Sequence, residues 1–150
     1  MSVLSPDADR RRRLGLLARA EASEFAAAFA RLGAEAAVTD LRGPETGLVM
    51  LTGRVGGDGR RFNLGEATVS RSTIRLPSGE IGFGQRLGTD RDLARRAAIL
   101  DALAGTDVGA PVVSSICDAV EQRLERQRLQ RDAETAATRV DFFTLVRGED

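Results

Sequence analysis

Apolar side chains recur with helical spacing near the start of the chain. Ser5-Pro6-Asp7 combines a capping residue, a proline and an acid, so a helix is predicted from there to about Arg19. A second helix is predicted to begin near Ala22 and to end at Gly33. Its apolar face contains Phe25, Phe29 and Leu32. The two segments predict an N-terminal helical hairpin.

The central half of the chain is rich in β-branched residues that are separated by turn-forming residues. Turns are predicted at Gly43-Pro44-Glu45, Gly56-Gly57-Asp58-Gly59 and Pro77-Ser78-Gly79, which gives an antiparallel meander of about four strands. The run Leu48-Val49-Met50-Leu51 does not alternate between apolar and polar positions. We therefore expect this strand to be covered on both faces, with helices on one of them.

Two more helices are predicted after the strands. Thr89 or Asp90 caps the first, which ends at Gly105, and Pro111 opens the second. Strands that are segregated from helices in this way indicate a single α+β domain over residues 1–150. The apolar face of the first helix contains Leu93, Ala97, Leu100 and Ala104, and that of the second contains Val113, Ile116, Cys117, Val120 and Leu124.

The closing segment, RVDFFTLVRGED at residues 139–150, contains two of the six phenylalanines of the chain. In an extended conformation both of its faces carry large apolar groups. One face is predicted to pack on the domain and the other on a partner chain, although packing entirely on its own domain explains the pattern equally well. The predicted partner interface consists of Val140, Phe142, Phe143, Leu145 and Arg147.

The composition restricts the possible chemistry. All 22 basic residues are arginine, they are balanced by 22 acids, and His, Lys, Trp and Tyr are absent. Imidazole acid–base catalysis and Schiff-base chemistry are therefore excluded. Cys117 is the one cysteine, which excludes an intramolecular disulfide and a thiolate–imidazole zinc cluster. With no signal peptide and no apolar stretch long enough to span a bilayer, a cytoplasmic protein is predicted.

Two arginine- or glycine-rich motifs invite a functional interpretation. Arg10–Arg13 point around most of a helix, so a solvated helix is favoured over a nucleic-acid site, with an acidic partner surface as an intermediate possibility. Gly82, Gly84 and Gly88 lack the spacing of a dinucleotide-binding loop, and close packing of a strand explains them better.

Cys117 lies on an apolar face and is interpreted as a core residue rather than a nucleophile.

The residues by themselves leave two functions open. A stand-alone small-molecule enzyme could use arginine and carboxylate groups, and its candidate residues are Glu66, Arg71, Asp141 and Arg147. Ordinary contacts between strands explain Glu66 and Arg71 equally well. A nucleic-acid-binding module is the other possibility, and it would bind in a salt-dependent way.

Four segments resemble, in the same order, the G subunit of the bacterial carbon–phosphorus lyase core complex. They are PETGLVML at 44–51, GEATVSR at 65–71, DLARRAAILDAL at 92–103 and RVDFFTLVRG at 139–148. The resemblance covers most of the chain apart from the arginine-rich start and residues 106–135. The closing segment is the most specific of the four.

The resemblance implies a cytoplasmic accessory or co-catalytic subunit in the catabolism of organic phosphonates. In that family the G subunit acts with the H, I and L subunits when an alkylphosphonate displaces adenine from MgATP, and it assembles with the H, I and J subunits. MgATP is then a substrate of the complex, while no cofactor, metal or catalytic residue is expected in this chain. Many family members carry His-Ala-Glu where this sequence has Leu93-Ala94-Arg95, which argues against a direct ligand or proton-transfer role at that helix.

Overall fold

The computed structural model describes residues 6–32 and 37–137. The three strands form one antiparallel sheet in the order β1-β2-β3. The predicted α+β class, with a helical hairpin first and two helices last, is confirmed, and the predicted terminal extended segment lies outside the described residues. The elements are α1 (Pro6–Leu17), α2 (Ala22–Leu32), β1 (Thr39–Arg54), β2 (Arg61–Arg75), β3 (Ile81–Leu87), α3 (Arg91–Leu103) and α4 (Gly109–Ala137).

The sheet has three strands rather than about four, because the first two predicted strands form the single strand β1. The turn predicted at Gly43-Pro44-Glu45 is wrong: these residues lie within β1, where pairing with β2 shifts in register between Arg42 and Glu45. Proline is tolerated there because β1 is an edge strand with a local irregularity. The turns predicted at residues 56–59 and 77–79 are confirmed.

Helix α3 lies between the sheet and the other helices. Its Ala98, Ile99 and Ala102 pack with Ile74 of the sheet, while its Ala97 and Leu100 belong to the core formed with α1, α2 and α4. The core between the four helices contains residues that were predicted on the apolar helix faces, and all of them are buried: Phe25, Val113, Ile116, Cys117 and Val120. The predicted apolar faces of α2, α3 and α4 are therefore the ones that form the core.

Glycines in β3 allow this strand to touch α3 backbone to backbone. A Cβ atom at Gly84 would overlap the carbonyl oxygen of Ala94, and one at Gly82 would overlap that of Ala98. The close packing predicted for the strand glycines is confirmed at Gly82 and Gly84 but is wrong at Gly88, which follows the strand and has open space around its Cβ position. Side chains at Gly82 or Gly84 would force the sheet away from α3.

The outer edge of β3 is covered by side chains. The carboxylate of Asp101 accepts a hydrogen bond from the backbone N–H of Phe83 at 3.0 Å, and the guanidinium of Arg10 donates to the carbonyl of Ile81 at 3.3 Å. These groups take the place that a fourth strand would fill. Backbone groups at a sheet edge that are satisfied in this way do not recruit other strands.

The prediction that Leu48-Val49-Met50-Leu51 is covered on both faces is wrong for the part of the chain that the structure describes. All four side chains are exposed. The pattern shows that both faces of the strand are apolar, but no described element covers them. Strand β1 therefore presents an uncovered apolar surface.

Candidate functional site

The β1–β2 hairpin extends well beyond the end of β3. Strand β3 pairs only with Val69–Arg75, whereas the pairing of β1 with β2 continues from Leu48 and Thr68 to Arg54 and Arg61. Residues 48–68 therefore form a two-stranded ribbon, which we call the arm. A two-stranded ribbon is marginally stable in water by itself, and packing against another surface normally stabilises it.

Large apolar side chains are exposed along the whole arm. Leu48 is 62% exposed and Leu64 is 63% exposed, although residues of this type are usually buried in a monomeric protein. Because neighbouring residues of a strand point to opposite faces, the run from 48 to 51 makes both faces of the arm apolar. A contiguous exposed surface of this kind marks an interaction site. The exposed apolar residues are Leu48, Val49, Met50, Leu51, Val55, Phe62 and Leu64.

The tip of the arm is positively charged. Arg54, Arg60 and Arg61 surround the turn, and Asp58 is the one acid within it. The left-handed backbone of Gly56 and Gly57, with φ of 61° and 88°, forms this turn. The arm thus presents an apolar shaft with a cationic end.

Arg71 and Glu66, which were candidates for a small-molecule site, are not brought together. Arg71 pairs across the strands with Glu45, at 2.6 Å between Nε and Oε1, and Arg42 contacts the same oxygen at 2.8 Å. The hydrogen bond from Arg71 holds the pKa of Glu45 below its usual value. Glu66 is opposite Met50 in the ladder and exposed. The interpretation of Arg71 as an ordinary cross-strand contact is confirmed, and Asp141 and Arg147 lie outside the described residues.

The arginine run of α1 has a structural role that the sequence did not predict. The carboxylate of Asp101, which is fully buried, accepts hydrogen bonds from Arg10 at 2.8 Å and from Arg13 at 3.0 and 3.1 Å. Arg10 also lies over the ring of Phe83, 5.3 Å from its centroid, and Arg12 pairs with Glu121. Three of the four arginines are therefore engaged within the domain, and the solvated-helix interpretation is only partly right.

Asp101 is the buried structural group that the sequence did not reveal. The available signal was an acid within the apolar run AAILDAL at 97–103 of α3. A carboxylate in such a run is buried at a cost unless cations and N–H groups compensate it. The arginines of α1 compensate it here, so it fixes α1 against α3 and β3 and has no vacant side toward solvent.

The remaining candidate chemistry is structural in the same way. Cys117 is buried in the helical core, and this burial raises the pKa of its thiol, so its interpretation as a core residue is confirmed. At the positions where the sequence departs from the family pattern, Leu93 packs on the helical core and Arg95 pairs with Asp40 at 2.8 Å. Among residues 6–32 and 37–137, no group of three or more His, Cys, Asp or Glu side chains could hold a metal ion.

Helix α4 holds the helical layer together and then extends past it. Arg123 donates to both carboxylate oxygens of Glu24 at 2.9 Å and to the carbonyl of Arg19 at 2.9 Å, and the bonds to Glu24 lower the pKa of that carboxyl. From residue 125 to 137 every side chain of α4 is exposed. No described helix is both long enough and apolar enough to cross a bilayer.

Comparison with known proteins identifies the family. The family model described as "Phosphonate metabolism protein PhnG" matches residues 8–148. The chain belongs to the PhnG family. A PhnG protein of Rhizobium meliloti (strain 1021), named alpha-D-ribose 1-methylphosphonate 5-triphosphate synthase subunit PhnG, is 52% identical over 143 residues, which cover 95% of this chain and 92% of that protein. The resemblance found in the sequence is confirmed.

The PhnG match includes the closing segment, which the structure leaves undescribed. The predicted interface residues Val140, Phe142, Phe143, Leu145 and Arg147 lie within residues 138–150, so their contacts stay a prediction. What the described part of this PhnG protein adds is the arm, whose apolar faces are uncovered.

Proposed function

We propose that this PhnG protein is an accessory or co-catalytic subunit of a complex that transfers the ribose triphosphate group of MgATP to an alkylphosphonate. The adenine base of MgATP leaves, and the phosphonate oxygen becomes bonded to the anomeric carbon. The observation that carries the proposal is the 52% identity, over nearly the whole chain, to a protein named as a subunit of such a synthase. The complex operates in the cytoplasm, where MgATP is available.

The chemistry of the chain supports an accessory role. It has no histidine and no lysine, and its one cysteine is buried with a raised pKa. Three of the four arginines of α1, which could otherwise bind a polyphosphate, are engaged by Asp101 and Glu121. A catalytic base and the binding groups for MgATP would then come mainly from other subunits, and this chain would complete their arrangement.

The partners in this proposal are the H and I subunits of the complex, with the L subunit in the reaction and the J subunit in the assembled core. We expect no nucleic acid and no membrane partner. The closing segment forms part of the interface, with Phe142 and Phe143 as anchors, because aromatic anchors contribute strongly to binding.

Reconstitution tests the function. The H, I and L subunits are incubated with MgATP and methylphosphonate, with or without this chain, and released adenine and the triphosphate product are measured by chromatography and mass spectrometry. Phosphonate-dependent adenine release should require this chain, and the chain alone should release none. Full activity in its absence, or turnover by the chain alone, would reject the accessory role.

A double substitution tests the terminal anchors. Phe142→Ala with Phe143→Ala should reduce co-purification with the I subunit, because two large apolar contacts are removed. Thr144→Ala in the same segment is the matched control and should behave as the unmodified chain does. Unchanged co-purification of the double variant would show that the terminal phenylalanines are not anchors.

A further inference from the structure

We infer that the arm, residues 48–68, is a docking element that inserts tip first into an apolar cleft of another subunit, and that carboxylates lie at the inner end of that cleft. The inference rests on the proposed function in one respect, since it assumes that the chain works within a multi-subunit complex. It adds which part of the described chain makes the contact and what the partner surface must be like.

The apolar character of the arm argues for a cleft rather than a flat surface. Leu48 and Met50 alternate along β1 with Val49 and Leu51, so that apolar groups project from both faces of the ribbon. A flat partner would cover one of these faces and leave the other in water. A cleft covers both faces, and an arm of about 20 residues matches the number that a standard protein interface contributes from each side.

The backbone of the arm also lacks partners along its sides. Strand β1 is at the edge of the sheet, and β3 pairs with β2 only from Val69 onward. Beyond that point both strands of the arm have an outer edge to which no other described strand is bonded. A cleft whose walls present strands could therefore extend the ladder on either side, as happens when a strand is added to an exposed edge.

The charge at the tip determines the chemistry of the inner end. Arg60 and Arg61 are exposed and form no ion pair with any described residue, and Arg54 has one long contact to the carbonyl of Gly59 at 3.4 Å. Asp58 offsets only one of the three cations. Burying uncompensated arginines would be costly, so the complementary surface must supply carboxylates.

The described surface of a second copy does not provide such a cleft. Its apolar grooves are one between α2 and α4, which is lined mainly by small side chains, and one beside Phe83, which is lined by no acid. Glu24, the acid in the first groove, already pairs with Arg123, and Arg31 beside it would repel the tip. A different polypeptide with an acidic inner pocket is therefore the partner that fits.

The test uses the full chain co-expressed with the other synthase subunits, one of which carries an affinity tag. Leu48→Ser with Leu64→Ser removes apolar contact from the arm, and Val108→Ser, at another exposed apolar residue in the loop before α4, is the control. Native mass spectrometry gives the number of copies incorporated. The arm variant should be largely lost from the complex, and the control should be retained.

Charge reversal at the tip provides the second part of the test. Arg60→Glu with Arg61→Glu should weaken incorporation by about tenfold at low salt, and the difference should shrink near about 0.5 M NaCl because salt screens the attraction. Arg11→Glu, at an exposed position of α1, is the control. These tip residues lie far from both cores, so this variant decides the matter even if the serine variant fails to fold, as judged by circular dichroism.

Each outcome has one meaning. If the unmodified chain is incorporated and both arm variants are incorporated equally well, the docking role of the arm is rejected while the proposed function stands. If the unmodified chain is itself not incorporated, the proposed function fails. If the arm variants change only the mass of the isolated chain in light scattering, from dimer to monomer, the partner is a second copy and the inference is overturned.

Discussion

Removing the carboxylate of Asp101 should destabilise the protein severely, although this residue contacts no active site. In Asp101→Ala the guanidinium groups of Arg10 and Arg13 lose their shared acceptor, and the N–H of Phe83 loses its partner. Breaking a buried ion pair typically costs about 3–5 kcal/mol. Because the side chains of Arg10 and Arg13 are 42% and 25% exposed and can regain water, the lower end applies, at about 3 kcal/mol.

The assay is urea unfolding of the isolated chain followed by circular dichroism, with thermal unfolding alongside it. A loss of about 3 kcal/mol corresponds to a fall of roughly 6–12 °C in Tm for a domain of this size. Asp118→Ala, at an exposed position of α4, is the matched control and should change the free energy of unfolding by less than about 0.5 kcal/mol. An Asp101→Ala variant as stable as the control would refute the reasoning.

A double-mutant cycle separates the ion pair from general damage to the core. If the carboxylate acts through Arg13, then Arg13→Ala should cost much less in the Asp101→Ala background than in the unmodified chain. The expected interaction free energy is about 1–3 kcal/mol. Additive effects would show that the two side chains do not act together and that Arg13 does not compensate the buried carboxylate.

Two other measurements address the packing and the pH dependence of the fold. Gly84→Ala should lower the free energy of unfolding by about 3 kcal/mol or more, because its Cβ would overlap the backbone of α3. Gly47→Ala is the control and should be neutral, because its Cβ would meet only an arginine side chain at 3.9 Å. Equal unfolding curves for the two variants would contradict the tight packing at Gly84. The folded-state pKa of Glu24 is lowered by Arg123, so this pair stabilises the fold above the unfolded pKa of about 4.3, and the stability is lost as pH falls through the folded pKa. Glu24→Gln should therefore cost about 1 kcal/mol in urea unfolding at pH 7 and progressively less as the pH falls below about 4.3, and a cost that does not depend on pH would be inconsistent with the ion pair.

Local signals predicted the helices well because their physical causes are local. Asp90 caps α3 by accepting from the backbone N–H of Leu93 at 2.9 Å, and α2 begins at Ala22, as expected. The apolar faces predicted around Phe25 and Val113 are buried for the same reason. Spacing along a helix determines which side chains share a face, whatever the rest of the chain does.

The errors concern interactions between distant residues. Gly43-Pro44 carries the local chemistry of a turn, but pairing with β2 keeps it within a strand. The absence of alternation at residues 48–51 correctly indicated two apolar faces, yet it could not show that the described domain leaves them uncovered. Asp101 acquires its role only from arginines that are 91 and 88 residues away along the chain. No pattern within a short window contains that information.

The side chains that cover β3 make the two edges of the sheet different. Asp101 and Arg10 occupy backbone groups along its outer margin, so a foreign strand that approaches from that side meets bonded atoms. Growth of the ladder is thus hindered at β3 itself, whereas a new strand can be added beside β1 or along either edge of the projecting hairpin. The outer margin of β3 is therefore the part of this sheet least suited to joining another copy, and an assembly that extends the ladder would use β1 or the hairpin instead.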